Sequence, residues 1–177
     1  AGVYMVLEHY EELLDKYQKL IAGLLNCASE DIEFFIGNTE IKEIEYFEPE
    51  KDENYEETGR QIRYTRWNNW SEGTYVVKIK EEKIASFELY KLPHCCAILV
   101  SCKAFIFEKY RNKRLGTLMN TFRQDIARTL GYSSLMCTDI EQNVNQRKLL
   151  KTNGWKDIHS VINKRTNNHV YISIINI

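Results

Sequence analysis

The segment Tyr110-Arg-Asn-Lys-Arg-Leu-Gly-Thr117 organises the rest of this 177-residue chain. An apolar run, Ala97–Phe107, leads into it, and a helical apolar pattern, Leu118–Leu130, follows it. A strand that turns through a short basic segment and opens a helix presents unpaired backbone N–H groups where the helix dipole is positive. The segment therefore predicts a site for an anion such as phosphate.

Composition narrows the class of protein. Charged residues make up 28% and apolar residues 44%, which are values typical of a globular chain. No apolar run reaches the roughly 18 residues of a membrane span, and no signal-peptide pattern opens the chain. The five cysteines lack the spacing of a zinc site, so we expect no metal and reduced thiols in a cytoplasmic protein.

Charge is divided unevenly along the chain. Residues 1–100 carry 20 acids and 11 Lys/Arg, a net −9, whereas residues 101–177 carry 5 acids and 13 Lys/Arg, a net +8. The second half suits a polyphosphate and the first a cationic substrate. Residues 30–57 hold 12 of the acids, which form either a solvated face or an acidic mouth for that substrate. A pI near 6.5 makes nucleic acid an unlikely partner.

Hydrophobic periodicity predicts the elements of the first half. Val3–Leu25 has the stripe of an amphipathic helix, which packs either on the domain's own core or on another chain. We predict a loop with a short apolar piece at Cys27–Asn38, a strand at Glu40–Phe47 and a helix at Asn54–Trp67.

The second half begins with the clearest β signal. Three strands joined by short turns, predicted at Thr74–Lys80, Ile84–Leu92 and Cys95–Phe107, form an antiparallel meander. After the helix that follows the basic turn, Ser133–Thr138 is expected to pair in parallel with the third of these strands.

A second helix and a closing hairpin complete the chain, at Asn143–Thr152 and at Trp155–Ile162 with Val170–Ile175. The predicted fold is α/β in the broad sense, a mixed α+β arrangement. Its mixed central sheet is antiparallel in the first half and has a parallel pair beside the basic turn.

Two motifs resemble the GNAT superfamily of acyl-CoA-dependent N-acyltransferases. Arg111-Asn-Lys-Arg-Leu-Gly-Thr117 is similar to the family's Q/R-x-x-G-x-G/A turn. Asn143, Leu149-Leu150 and Asn153-Gly154-Trp155 are similar to its N-x-x-A-x-x-L-Y-x-x-x-G-F helix, with the same Asn-to-Gly offset of eleven. The resemblance covers about three quarters of the chain. It implies a GNAT-like domain at residues 40–177 and a helical extension at residues 1–39 packed on that domain.

The resemblance implies acetyl-CoA as cofactor. Its pyrophosphate would lie on the backbone amides of the basic turn, and its pantetheine arm would run beside the preceding strand. The cofactor-binding residues so implied are Ile106, Phe107, Arg111, Asn112, Lys113, Arg114, Leu115, Gly116, Thr117 and Asn143.

Two positions depart from the family pattern. Arg114 stands at the first glycine of the turn, and a side chain there disfavours the positive φ that glycine permits. Leu150 stands where the family often has a tyrosine that protonates the leaving thiolate. Tyr132 and Tyr171 are the alternative proton donors.

The implied reaction is transfer of an acetyl group to a primary amine of a small molecule, a protein lysine or a protein N-terminus. A carboxylate acting through water is an adequate base for it. The candidates are Glu88 and Asp139, which have the alternative roles of an exposed strand carboxylate and a helix cap. Tyr64, Trp67 and Trp70 either line the acceptor site or form a packing cluster.

Two other functions stay open at this point. One is a catalytically silent GNAT-like module that binds CoA or a protein partner through the first helix. The other is nucleic-acid binding through the basic half. A homodimer is also compatible with the sequence.

Overall fold

The computed structural model describes residues 2–37, 42–52, 54, 56–68 and 73–177, and for residues 2–7, 42–48 and 62–68 it describes the backbone alone. Its helices are α1 (Gly2–Leu25), α2 (Leu115–Thr129) and α3 (Val144–Thr152), with short 3-10 turns at Ser29–Asp31 and Glu108–Tyr110. Its strands are β1 (Ile32–Ile36), β2 (Lys42–Lys51), β3 (Glu57–Asn68), β4 (Gly73–Ile79), β5 (Glu82–Lys91), β6 (Ile98–Ile106), β7 (Ser134–Ile140), β8 (Lys156–Ile162) and β9 (His169–Asn176).

Seven strands form the main sheet, in the order β1-β4-β5-β6-β7-β9-β8. The pairings are antiparallel except that of β6 with β7, which is parallel. A parallel pair needs a long crossover, and the basic turn with α2 supplies it. The predicted mixed sheet, the meander and the parallel pair are confirmed, and β9 lies between β7 and β8.

The predicted helix at Asn54–Trp67 is wrong. Most of this segment is β3, which pairs antiparallel with β2 in a separate two-stranded sheet. The residues from Ile62 to Trp67 are mostly β-branched, aromatic or long, types that fit a strand once a partner is present. That partner is the preceding strand β2, and the periodicity within residues 54–67 alone does not record the pairing.

The predicted loop at Cys27–Asn38 is also wrong in part. Its apolar piece is β1, which pairs antiparallel with β4 and extends the main sheet at its edge. Ile32 is 1% exposed and Phe34 is half-buried against the core, so alternate side chains of β1 face inward. A five-residue strand carries too few alternations to be separated from a loop by sequence.

Helix α1 is confirmed, and its apolar stripe packs on the core of the same chain. The Tyr17 ring stacks on Phe122 of α2 at 4.3 Å between centroids, and the Tyr17 hydroxyl donates a hydrogen bond to Asp125. Nearer the start of α1, the Tyr10 hydroxyl lies 3.0 Å from that of Tyr75 on β4. The division into residues 1–39 and 40–177 stays a prediction.

In the part of the chain that the structure describes, no helix is both long enough and apolar enough to cross a bilayer.

Candidate functional site

The basic turn is anchored to the main sheet just before α2. Tyr110 is buried, and its hydroxyl donates a 2.7 Å hydrogen bond to Glu82 at the start of β5. Lys109 Nζ lies 3.1 Å from the same carboxylate. These two donors, the Tyr110 hydroxyl first, lower the pKa of Glu82, so the carboxylate stays ionised and holds the turn in place.

Arg114 takes the left-handed backbone conformation that glycine would take, with φ 66° and ψ 12°. The expectation that a side chain at this position keeps the turn from positive φ is therefore wrong. A non-glycine residue in this conformation costs about 1–2 kcal/mol, which the anchored turn and the helix that follows offset. Arg114 is the N-cap of α2, and its carbonyl accepts the N–H of Leu118 at 3.2 Å.

The first turn of α2 is suited to bind an anion. The N–H groups of Leu115, Gly116 and Thr117 precede the first intrahelical donor, so they have no acceptor within the helix. A cavity of about 520 Å³ opens beside them and is lined by Arg111 and Arg114. Backbone donors, the helix dipole and two guanidinium groups thus converge on one place.

Strands β6 and β7 separate beyond their first three residue pairs. Their parallel ladder joins Ile98–Val100 to Ser134–Met136 and goes no farther. On β6 the register with β5 shifts near Lys103, whose φ of 51° marks a β-bulge. The strands part there, and a second cavity of about 260 Å³ lies between them.

The two cavities meet around four side chains, those of Ala104, Arg123, Asn143 and Gln146. Asn143 is the N-cap of α3, and its Oδ1 accepts the backbone N–H of Gln146 at 3.3 Å. This bond orients the amide, whose other end is a donor at the junction. A long ligand held by its anionic end at α2 can therefore extend from the first cavity into the split.

Asp139 lies at the end of the split, on β7. It lines the 260 Å³ cavity, and its side chain is 3% exposed. Oδ2 accepts a 3.1 Å hydrogen bond from Arg147, whereas Oδ1 is buried with no partner among the described residues. Burial raises the pKa of this carboxyl group, and Arg147 opposes the shift.

Arg147 links Asp139 to a second acid. Its other terminal nitrogen lies 2.7 Å from Asp157, and its guanidinium stacks 3.5 Å from the Tyr171 ring centroid. Asp139 is thus held in a fixed orientation by a side chain that is itself fixed.

Glu88 lies on β5, beside the split and outside both cavities. Its carboxylate lies 3.3 Å from Lys103 Nζ and accepts hydrogen bonds from Thr74 at 3.3 Å and Cys102 at 3.7 Å. Both Lys103 and Cys102 line the 260 Å³ cavity. Glu88 is therefore linked to the split through Lys103 and Cys102, which it contacts.

An anion cradle at a helix N-terminus, continued by a slot between two parting parallel strands, fits acetyl-CoA with its pyrophosphate and extended pantetheine arm. The comparison with protein families agrees. Residues 38–155 match the model of the acetyltransferase (GNAT) family. The chain belongs to the GNAT family. This family uses acetyl-CoA as its acetyl donor, so the predicted resemblance and cofactor are confirmed.

Solved GNAT structures share the fold at low sequence identity. Ard1 from Thermoplasma volcanium is 15% identical with a TM-score of 0.54, and the match covers 61% of this chain and 72% of that one. An acetyltransferase of the GNAT family from Streptococcus pneumoniae is 17% identical with a TM-score of 0.52, covering 60% and 68%.

A GNAT family acetyltransferase from Elizabethkingia anophelis, solved with acetyl-CoA bound, is 15% identical with a TM-score of 0.50, covering 60% and 77%. At these identities the structures show the fold alone. None of the curated protein sequences matches the chain.

The structure gathers most of the predicted cofactor residues around the GNAT slot. Those that line a cavity are Ile106, Arg111, Asn112, Arg114, Leu115, Gly116 and Asn143. Phe107, Lys113 and Thr117 do not line either cavity with their side chains, although Thr117 contributes a first-turn N–H. The Nε of Arg111 donates a 2.8 Å hydrogen bond to the carbonyl of Ile106, which ties the turn to the end of β6.

The predicted acceptor residues lie largely outside the described part of the chain. Trp70 is not described, and for Tyr64 and Trp67 only the backbone of β3 is described. Leu150 is 3% exposed and lines the split. The two alternative proton donors, Tyr132 and Tyr171, line neither cavity.

Sequence reasoning missed several side chains of the slot, among them Gln146, Leu149 and Arg123. The sequence did contain an indication that Arg123 is buried. This residue lies four residues after Met119, on the apolar stripe of α2 that also carries Phe122 and Ile126. A charged residue on the buried face of a helix is rare and marks a functional position more often than a structural one.

Proposed function

We propose that this chain transfers the acetyl group of acetyl-CoA to a primary amine of a small molecule or a protein. The amine attacks directly, assisted by a carboxylate that acts through water. The observation that carries the proposal is the continuity of the anion cradle at Arg114–Thr117 with the split that contains Asp139. Bound acetyl-CoA supplies the activated thioester.

Asp139 is the better of the two candidate bases. Its raised pKa brings the carboxylate closer to the proton affinity that general-base catalysis needs, and Oδ1 has capacity for a proton. Glu88 is occupied by Lys103, Thr74 and Cys102. The net −9 charge of residues 1–100 favours the approach of a cationic amine.

The pH dependence of kcat/KM with a panel of amines tests the role of Asp139, with release of the CoA thiol as the readout. We expect Asp139→Asn to lower the rate by about 10²–10⁴-fold and to remove the acid limb of the profile. Glu88→Gln is the matched control, expected to stay within about tenfold of wild type. An unchanged rate and profile in Asp139→Asn would exclude this carboxylate as the base.

A catalytically silent module that binds CoA is the second candidate. Leu150 favours it, because an apolar side chain lines the split where many relatives carry a tyrosine. The two candidates differ in one measurement. The silent module binds CoA in calorimetry and releases no thiol from acetyl-CoA with any amine, whereas turnover with one amine eliminates it.

The acceptor stays a proposal, as does its contact with Tyr64, Trp67 and Trp70. A cytoplasmic location also stays a proposal, supported by five free thiols in the chain. The homodimer is tested by sedimentation with and without acetyl-CoA.

A further inference from the structure

Arg123 is a buried cation in the wall of the slot. Its side chain is on α2, the residue is 3% exposed, and it lines both cavities. The guanidinium makes no hydrogen bond with any described residue, and its Nε is fully enclosed. The Phe87 ring lies beside the guanidinium, with its centroid 5.6 Å from Cζ.

Arg123 keeps its charge in this environment. Burial lowers the pKa of the guanidinium to about 10, which still leaves it protonated at neutral pH. The neighbouring Cys137 thiol does not neutralise it, because burial raises the pKa of Cys137 to about 12. A cation taken out of water without a counter-ion is costly, and proteins avoid it unless the charge has a partner.

The other ionised side chains that line the 260 Å³ cavity already have partners. Lys103 pairs with Glu88 at 3.3 Å, and Asp139 pairs with Arg147 at 3.1 Å. Among the described residues that line this 260 Å³ cavity, Arg123 is the one charged side chain without a counter-ion. The missing partner is therefore an anion that enters the cavity with a ligand.

That anion is separate from the CoA phosphates. Arg123 lies seven residues after Gly116 along α2, which is roughly 10 Å of helix. In the proposed function the phosphates bind at the start of α2 and the pantetheine arm extends from there into the split. Arg123 lines both cavities where they meet, so the anion that it would bind belongs to the part of the ligand inside the split, which in an acyl-CoA carries the acyl group.

We propose that Arg123 binds a carboxylate at the end of the acyl chain, so that the slot prefers dicarboxylic acyl-CoA thioesters over neutral ones of the same length. This inference rests on the proposed function, because it requires CoA to bind in the slot. A planar guanidinium matches a carboxylate in geometry as well as in charge.

Calorimetric dissociation constants for CoA, acetyl-CoA, butyryl-CoA and succinyl-CoA test it. Butyryl and succinyl groups have four carbons each and differ in the terminal carboxylate. We expect succinyl-CoA to bind about 10- to 100-fold tighter than butyryl-CoA, the range of a charge-assisted hydrogen bond to a buried group.

Arg123→Met should abolish this preference, so that succinyl-CoA and butyryl-CoA bind equally. It should also raise Tm, because it removes an unpaired buried charge. Arg128→Met is the matched control: it removes the same charge from the exposed end of α2 and should keep the preference.

Two results would overturn the inference. One is equal binding of succinyl-CoA and butyryl-CoA by the wild-type chain, which needs no variant to fold. The other is an equal loss of affinity for all four ligands in Arg123→Met, which would assign Arg123 to the shared CoA part. If none of the four ligands binds, the proposed function itself fails. Equal binding of succinyl-CoA and butyryl-CoA overturns the role of Arg123 alone, so the two failures are distinguishable.

Discussion

The indole N–H of Trp155 donates a 3.0 Å hydrogen bond to Oδ1 of Asn120 in the core. Trp155 is 5% exposed and Asn120 is fully buried. Trp155 follows α3 directly and Asn120 lies on α2, so the bond joins the two helices that carry the GNAT motifs. The other end of the Asn120 amide, Nδ2, has no partner among the described residues.

The bond makes Trp155→Phe a costly substitution. It leaves the Asn120 carbonyl oxygen buried and unpaired, and we expect the free energy of unfolding to fall by about 1–3 kcal/mol. Asn120→Leu with Trp155→Phe replaces both partners by apolar groups and should recover most of the loss. Urea unfolding of the two single variants and the double variant measures the coupling, and strictly additive effects would contradict it.

The backbone of Arg114 can be tested apart from its side chain. Arg114→Ala removes the guanidinium and keeps a Cβ at φ 66°, whereas Arg114→Gly removes both. We expect the glycine variant to be about 1 kcal/mol more stable than the alanine variant, because glycine adopts this conformation without strain. Equal stability of the two variants would contradict a left-handed residue at this position.

The same pair of variants measures the contribution of the Arg114 guanidinium to CoA binding. Both should bind CoA more weakly than wild type and to a similar degree, since both lack the charge beside the cradle. Calorimetry at two salt concentrations checks the electrostatic origin, because the difference from wild type should shrink as salt increases.

Gly116 keeps space open for the cofactor. A Cβ on it would lie 3.9 Å from Ile106 and from Leu149, two residues that line the 520 Å³ cavity. Alanine therefore fits the fold without a clash and should add about 0.5–1 kcal/mol of stability in the helix. We expect Gly116→Ala to lower CoA affinity at least tenfold.

Gly23 provides the control for that variant. It lies in α1, and a Cβ there would meet no atom within 4 Å. Gly23→Ala should give a similar gain in stability and leave CoA binding unchanged. Wild-type affinity in Gly116→Ala would show that the cofactor does not approach the first turn of α2.

Ser173 makes stability depend on acid pH through Asp157. Its hydroxyl donates a 2.8 Å hydrogen bond to Asp157, and this bond, with help from Arg147, lowers the pKa of the carboxyl group. A lowered folded-state pKa stabilises the fold above the unfolded value of about 3.9, and the contribution disappears as pH falls below it.

We expect Ser173→Ala to lose about 0.5–1 kcal/mol at pH 7, a modest value because the Asp157 side chain is 42% exposed. The difference from wild type should shrink between pH 4 and pH 2. Ser134→Ala is the control, because Ser134 donates to the neutral Asn176 amide at 2.7 Å and its loss should not depend on pH. Parallel stability–pH curves for the Ser173 variant and wild type would contradict the prediction.

Sequence periodicity and motif spacing predicted the elements whose signal is local. The stripe of α1, the meander β4–β6, the basic turn with α2 and the helix α3 are formed by neighbours within one or two turns or by short hairpins. Their residue patterns therefore record the structure directly. The two motifs at matching distance also led to the family and its cofactor.

The tertiary structure alone decided what depends on pairing or packing with another segment of the chain. The segment predicted as a helix became β3 because β2 pairs with it, and β1 became a strand because β4 offers its edge. Arg114 adopts a left-handed backbone because the turn before it is fixed to β5. In the sequence, Arg123 is one of many charged residues. Only the packing of α2 over the parted strands shows that it is buried in the slot without a partner among the described residues.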